Sequence, residues 1–235
     1  MSIRVRIIYD KRGGACFVPH VSLASLFTRA ALRAGLSLTL TQGFSPHPRM
    51  SFGPELPAGV VALAEPVDVW METAPEGFLE RWDTALPEGF HLLRVHSVKE
   101  DAPSLGKVCQ AALYWIQPAA VSSYDDLFER ARAYYGESVL EAESGLDIEG
   151  SRTAGLTQNG SFTASEKLAV PEPGSGGLAQ ANGQALWFSL KLSSPAQNGI
   201  GGWVKQMIAG GVLTGWQDLH IVRAGVELAA GEACS

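Results

Sequence analysis

Two histidines and several arginines near the N-terminus are the residues of this chain best suited to bind an anionic ligand. His20 precedes a predicted helix, and His47 lies between two prolines in a Gly/Pro-rich segment that ends at Arg49. A helix start and a bidentate guanidinium both suit phosphate, and exposed aromatic rings suit stacking on bases. The residues that we predict to contact nucleic acid are Arg4, Arg6, His20, Phe44, His47, Arg49 and Phe52.

Charge is unevenly distributed along the chain. The first 50 residues hold seven of the 18 Lys and Arg but only one of the 24 acidic residues, so their net charge is +6 and that of the remainder is −12. This asymmetry suggests a polyanionic partner. Because Arg4 and Arg6 alternate with apolar residues, we expect them to extend a positive strip across an uncovered face of the sheet.

Other kinds of site are excluded by the sequence. The three cysteines, Cys16, Cys109 and Cys234, are too far apart for a zinc or iron–sulfur motif, and no phosphate-binding glycine loop or nucleophile elbow occurs. We therefore expect no metal and no cofactor, and a non-enzymatic role is favoured. The N-terminus has no apolar signal segment and no apolar run is long enough to span a bilayer, which predicts a cytoplasmic protein without a membrane partner.

The apolar spacing in the first half predicts the order β-α-β-β-α-β, which is that of a ferredoxin-like unit. Ser22 is predicted to cap the first helix and Gly35 to end it. Pro75 is predicted to open the second helix. The strands are predicted around 3–7 and at 36–42, 60–72 and 90–98.

The second half repeats that order less cleanly. Its strands are predicted at 111–117, 138–142, 185–192 and 220–228, and its helices after Ser122 or Ser123 and at 200–208. The predicted fold class is α+β, with tandem ferredoxin-like units that have antiparallel sheets. The first unit is 1–104, with a basic N-terminal half, and the second is 105–235, with a long Gly/Ser-rich insertion at 145–183.

A family resemblance is carried by the segment from residue 42 to residue 52, Gln-Gly-Phe-Ser-Pro-His-Pro-Arg-Met-Ser-Phe, together with Lys11-Arg-Gly13, Phe17 and His20. These residues resemble the radical-SAM-linked proteins, a bacterial domain of unknown function. That domain occurs alone or fused to the C-terminus of a B12-binding/radical-SAM protein. The resemblance implies a radical-SAM enzyme as partner, although this chain lacks the cysteine triplet that such chemistry needs.

The resemblance also extends the set of candidate residues. Where the family tends to have a His-Arg-Thr run, this chain has Val222-Arg223-Ala224, so only the arginine corresponds. Ser22 likewise replaces an acidic residue of the family. The secondary candidates for nucleic-acid contact are Lys11, Arg12 and Arg223.

Three functions agree with these observations. The first is an accessory module that binds RNA, either rRNA or tRNA, for a radical-SAM enzyme. The second is a metal-independent RNA-processing enzyme in which His20 and His47 act as the general base and as the basic group that stabilises the charged transition state. The third is a protein-docking subunit of a radical-SAM system.

Overall fold

Eight strands form a single sheet in the computed structural model, which describes residues 2–118, 124–135, 139–142, 185–191 and 199–228. The strands are β1 (Ile3–Lys11), β2 (Met50–Phe52), β3 (Val61–Met71), β4 (Phe90–Val98), β5 (Cys109–Pro118), β6 (Val139–Ala142), β7 (Ala185–Lys191) and β8 (Leu219–Leu228). The helices are α1 (His20–Arg33), α2 (Phe78–Ala85), α3 (Leu105–Val108), α4 (Tyr124–Tyr135) and α5 (Gly199–Ala209), and 3₁₀ turns lie at Gly13–Phe17 and Trp216–Asp218.

The sheet has the order β4-β1-β3-β8-β5-β7-β6, and β2 pairs with β3 beside this path. All neighbouring strands are antiparallel except β3 and β8. The two halves therefore have equal strand orders: β4-β1-β3-β2 in the first half and β8-β5-β7-β6 in the second. In both, the fourth strand of the half pairs with the first, the first with the third, and the third with the second. The predicted α+β class is confirmed, and most of the predicted elements lie within one or two residues of the observed ones.

The two halves meet where β3 and β8 run parallel. The pairing is short and joins Val61 with Val222 and Ala62 with Arg223. The apolar core of the second half also includes Leu56, Val60 and Ala62 of the first half. The halves consequently share both a sheet and part of a core, and we call this junction the seam.

Helix α1 begins earlier than the sequence predicted. Its N-cap is Pro19, in extended conformation and without a side-chain cap, so Ser22 lies inside the first turn and the predicted cap is wrong. His20 is therefore the first helical residue. The fixed φ of proline is compatible with a helix start, and its missing N–H is no loss there.

The predicted end of α1 at Gly35 is confirmed. Gly35 has φ 71°, and its N–H donates to the Leu32 carbonyl at 3.1 Å. The next amide, of Leu36, donates to the Ala31 carbonyl at 2.9 Å. This pair of bonds is a Schellman motif, in which glycine adopts the left-handed conformation without steric strain.

The predicted strand at 36–42 is wrong, because the strand that pairs with β3 is β2 at Met50–Phe52. Residues 39–41 instead pair with residues 47–49, and Thr39 also donates its N–H to the Trp70 carbonyl at 2.8 Å. The chain thus runs out from the sheet edge and back again. This arrangement makes residues 43–49 a projecting tip, exposed at 43–47 and half-buried at 48 and 49, which we call loop 43–49.

The two described cysteines, Cys16 and Cys109, are buried free thiols. Burial raises the pKa of both, to about 11 for Cys109, so neither is an activated thiolate. In the part of the chain that the structure describes, no helix is long and apolar enough to cross a membrane. The predicted insertion at 145–183 lies outside the described residues.

Candidate functional site

Arg4 and Arg6 are buried against one carboxylate rather than exposed. Asp68 on β3 accepts from Arg4 Nη2 at 2.7 Å and from Arg6 Nε at 2.7 Å. Arg4, Arg6 and Asp68 are 4%, 1% and 0% exposed. We call this group the Asp68 centre.

The expectation of an open positive strip on β1 is therefore wrong for Arg4 and Arg6. Arg4 also donates to the carbonyls of Ala102 and Pro103, so the segment that links the halves contacts this side chain. A buried guanidinium needs a counter-charge and hydrogen-bond acceptors. Asp68 supplies the charge and, with these carbonyls, accepts from both terminal nitrogens of Arg4, whose Nε has no partner among the described residues. Both arginines are consequently buried and paired inside the protein, which does not favour their contact with a phosphate backbone.

Loop 43–49 is anchored at its base by backbone hydrogen bonds. Thr41 N–H donates to the His47 carbonyl at 2.8 Å, and Arg49 N–H donates to the Thr39 carbonyl at 2.7 Å. The Trp70 N–H then donates to the Arg49 carbonyl at 3.1 Å. The loop is thus fixed to β3 although residues 43–47 are exposed.

Phe44 at the tip of the loop is fully exposed. His47 is also exposed, and its Nδ1 lies 3.1 Å from Thr41 Oγ1 and 3.2 Å from the Ser45 carbonyl oxygen. These contacts hold the ring inside the loop. The structure therefore brings two predicted site residues together on one projecting element.

Arg49 lies on the indole of Trp70, with its guanidinium carbon 4.1 Å from the ring centroid. It also pairs with Glu100 at 3.1 Å, and both side chains are about half exposed. A stacked arginine in this position restricts the base of the loop and keeps part of its charge at the surface. Of the predicted arginines in the first half, Arg12 is likewise paired, to Asp10 at 2.5 Å.

A second buried ion pair closes the seam. Arg223 on β8 donates from Nε to Glu65 Oε1 at 2.6 Å and from Nη2 to Glu65 Oε2. Its other donors reach the Pro54 and Glu55 carbonyls and the Tyr114 hydroxyl. Burial opposes the charged form, but attraction by Glu65 raises the pKa of Arg223 above its usual value.

All five N–H donors of Arg223 thus have an acceptor within the protein. No donor remains for an external phosphate, and the side chain is almost fully buried. Arg223 is therefore a structural link between the halves. This burial and internal pairing do not favour its predicted contact with nucleic acid, which stays a prediction.

Lys11, His20 and Tyr9 lie around that ion pair, and we call these three with Glu65 and Arg223 the seam cluster. Lys11 is 2% exposed and donates only to the Val18 carbonyl, at 2.9 Å, within the described residues. Burial lowers its pKa, and Glu65 and Arg223 are close enough to act on it in opposite directions. Burial likewise lowers the pKa of His20, and the charges of Glu65 and Arg223 also act on it in opposite directions.

Phe52 packs against this cluster and against the apolar core, and it does not offer a fully exposed ring for base stacking. Its ring centroid lies 6.2 Å from that of Tyr9, 6.0 Å from that of His20 and 5.3 Å from that of Phe27, all edge to face. The ring is half-buried. Phe52 thus contacts both Tyr9 and His20, the first residue of α1.

The sequence reasoning missed the carboxylates that organise both buried centres, and it missed the Tyr9 and Trp70 rings. Asp68 and Glu65 interrupt the most apolar strand of the first half, and a charge inside a strand that is buried on both faces usually has a partner. That signal was present in the printed sequence. In the described part of the chain, no group of three or more His, Cys, Asp or Glu could hold a metal ion.

Comparison with known proteins places the chain in a family. Residues 4–145 match the family described as "Uncharacterized protein conserved in bacteria (DUF2344)". The chain belongs to this family. The match confirms the expected bacterial domain of unknown function and names no radical-SAM association, so that part of the resemblance remains a proposal.

The family match covers β1 to β6, and with them loop 43–49, the Asp68 centre and all of the seam cluster except Arg223. A comparison with curated proteins gave no match. Among solved structures, a protein titled "Crystal Structure of an Unknown Protein from Galdieria sulphuraria" is similar at 9% identity and a TM-score of 0.26. The alignment covers 97% of this chain and 99% of that one.

Proposed function

We propose that this protein is a non-catalytic docking subunit that uses loop 43–49 to bind a protein partner. The observation that carries the proposal is the fully exposed Phe44 on a loop whose base is fixed by backbone bonds and by Arg49 on Trp70. An exposed aromatic side chain on a preorganised element loses little conformational entropy on binding. Such a side chain is suited to fill an apolar pocket of a partner.

The partner that we propose is a radical-SAM enzyme, as the resemblance of segment 42–52 implies. The chain would serve that enzyme as an accessory protein. Protein docking is favoured over RNA binding because Arg4, Arg6 and Arg12 are paired with internal carboxylates. What remains at the surface of the loop is apolar and aromatic more than cationic.

The test is a binding measurement between this protein and the purified radical-SAM enzyme of the same organism. Phe44→Ser is expected to weaken the complex by tenfold or more, which is about 1.4 kcal/mol or above. Ser45→Ala, the next residue of the loop, is the matched control and should bind as the parent does. A complex that is equally tight with Phe44→Ser would contradict the proposal, as would a complex lost on RNase treatment.

RNA binding is the second candidate function, because Phe44, His47 and Arg49 lie on one element. An aromatic ring, an imidazole and a guanidinium together suit a single-stranded segment with unstacked bases. With few cations available, we expect a shallow salt dependence, of about 0.7 log units per phosphate contact. Arg49→Ala should reduce that slope, and RNA binding that is unaffected by Arg49→Ala and Phe44→Ser would remove loop 43–49 from this role.

Cleavage of RNA by His20 and His47 is not favoured by the geometry. His47 contacts Thr41 and Ser45 in the loop, whereas His20 packs on Phe52 at the seam. Acid and base must reach one phosphate, and these histidines share no contact residue in the described part of the chain. Incubation of RNA with the protein and a chelator tests this function, and cleavage lost in His47→Ala would restore it.

We further propose that the halves, 1–104 and 105–235, are tandem ferredoxin-like units. The equal strand order in the two halves supports this, as does the helix after the first strand and after the third strand of each half. The short β3–β8 pairing would then be the contact between units. Limited proteolysis near residue 104 that releases two folded fragments would strengthen the assignment.

A further inference from the structure

The seam cluster contains one more buried cation than buried carboxylates. Lys11 and Arg223 are both at least 98% buried, and Glu65 is the carboxylate buried beside them. Arg223 occupies both Glu65 oxygens, so Lys11 has no direct ion pair among the described residues. A buried ammonium without a counter-charge is unfavourable, which is a reason to look for an anion here.

Hydrogen-bond donors around Lys11 are also unfilled. An ammonium has three N–H donors, and the described residues provide Lys11 with one acceptor, the Val18 carbonyl. The Tyr9 hydroxyl and the His20 ring nitrogens have no hydrogen-bond partner in the same part of the chain. The unpartnered polar atoms of these two side chains are not completely buried, although Tyr9 as a whole is only 3% exposed.

Two neighbours bring these side chains into one region: Phe52 contacts both Tyr9 and His20, and Val18, two residues before His20, accepts from Lys11. Tyr9 and Lys11 come from β1, and His20 begins α1 after the 3₁₀ turn. The rings of Tyr9 and His20 both contact Phe52, and Lys11 acts electrostatically on His20. The exposed carboxylate of Glu55 also acts electrostatically on His20, in the direction that raises its pKa.

We propose that Lys11, Tyr9 and His20 form a binding site for a phosphate group. A phosphate supplies the missing negative charge, and its oxygens accept from the two open Lys11 donors, the Tyr9 hydroxyl and a His20 N–H. A carboxylate has two oxygens and leaves part of this set unfilled. Arg223 and Glu65 form the floor of the site and do not contact the ligand, since their own groups are already paired.

The test is calorimetric titration of the full-length protein in phosphate-free buffer. Inorganic phosphate and phenyl phosphate are the two probes, which distinguish free phosphate from a phosphate ester, and acetate is the carboxylate comparison. Binding of either phosphate probe in preference to acetate is the expected result. No heat from either probe at millimolar concentration, or equal binding of acetate, would overturn the assignment.

Three variants locate the site. Lys11→Met has a similar length and should weaken phosphate binding by roughly tenfold or more, and Tyr9→Phe should weaken it by a few fold. Arg29→Met removes an exposed cation of α1 and should bind as the parent does. If Lys11→Met does not fold, Tyr9→Phe still decides the matter. Binding that is unchanged in Tyr9→Phe, or that is weakened equally in Arg29→Met, would overturn the site.

Discussion

The Asp68 centre and the base of loop 43–49 place arginines on the same tryptophan with opposite consequences. Arg4 lies 4.8 Å from the Trp70 ring centroid and Arg49 lies 4.1 Å from it. Arg4 is buried in an ion pair with Asp68, whereas Arg49 pairs with Glu100 at the surface. The comparison teaches that burial, and not the type of contact, decides whether an arginine stabilises the fold or remains available to a partner.

The largest effect is expected at the Asp68 centre. Asp68→Asn would leave Arg4 and Arg6 buried without their common counter-charge, and breaking a buried pair costs about 3–5 kcal/mol. The free energy of unfolding, measured by urea titration, should fall by that amount. Asp101→Asn, in the linking segment, is an exposed control and should change it by less than about 0.5 kcal/mol. A small loss in Asp68→Asn would show that the carbonyls of the linking segment are sufficient for both arginines.

The seam pair should be nearly as costly to break. Arg223→Met leaves Glu65 buried without a counter-charge, and Glu65→Met does the same to Arg223. Each variant is expected to lower the free energy of unfolding by about 3 kcal/mol. The double variant should lose less than the sum, because it leaves no unpaired charge. Urea unfolding of the four proteins gives the coupling free energy. Strictly additive losses would contradict the direct pairing across the seam.

A pH effect of intermediate size is expected from His20. Burial lowers its pKa from 6.5, so between the lowered value and 6.5 the unfolded chain binds a proton that the folded chain does not. Stability should therefore fall as the pH falls through 6.5. His20→Gln should reduce this slope in urea unfolding at pH 5 to 8, and an unchanged slope would show that other groups cause it.

The smallest effect is expected at Arg49. An exposed cation–π contact contributes about 0.5–1 kcal/mol, and an exposed ion pair contributes less. Arg49→Ala should thus lower the free energy of unfolding by no more than about 1 kcal/mol. Glu100→Gln is the matched control, which keeps the stacking and removes the ion pair. A loss at Arg49 as large as that at Asp68 would remove the distinction between the two regions.

Local pattern was enough to predict most elements, because strand and helix periodicity depends on neighbouring residues. β4 has the predicted bounds, α4 begins directly after Ser123 as predicted, and Gly35 ends α1 as predicted. The wrong strand at 36–42 has a tertiary cause, since β3 has one free edge at that end and β2 occupies it. For the candidate site, the exposed loop with Phe44 and His47 was correctly located, while Arg4, Arg6 and Arg223 were assigned to the wrong environment.

The sequence by itself determined the α+β class, the bounds of its main elements and an accumulation of cations near the N-terminus. The tertiary structure decided where those cations lie. Arg6 pairs with a carboxylate 62 residues away, and Arg223 pairs with one 158 residues away. Charge can be counted along a chain, but its burial and its partner depend on segments that only folding brings together.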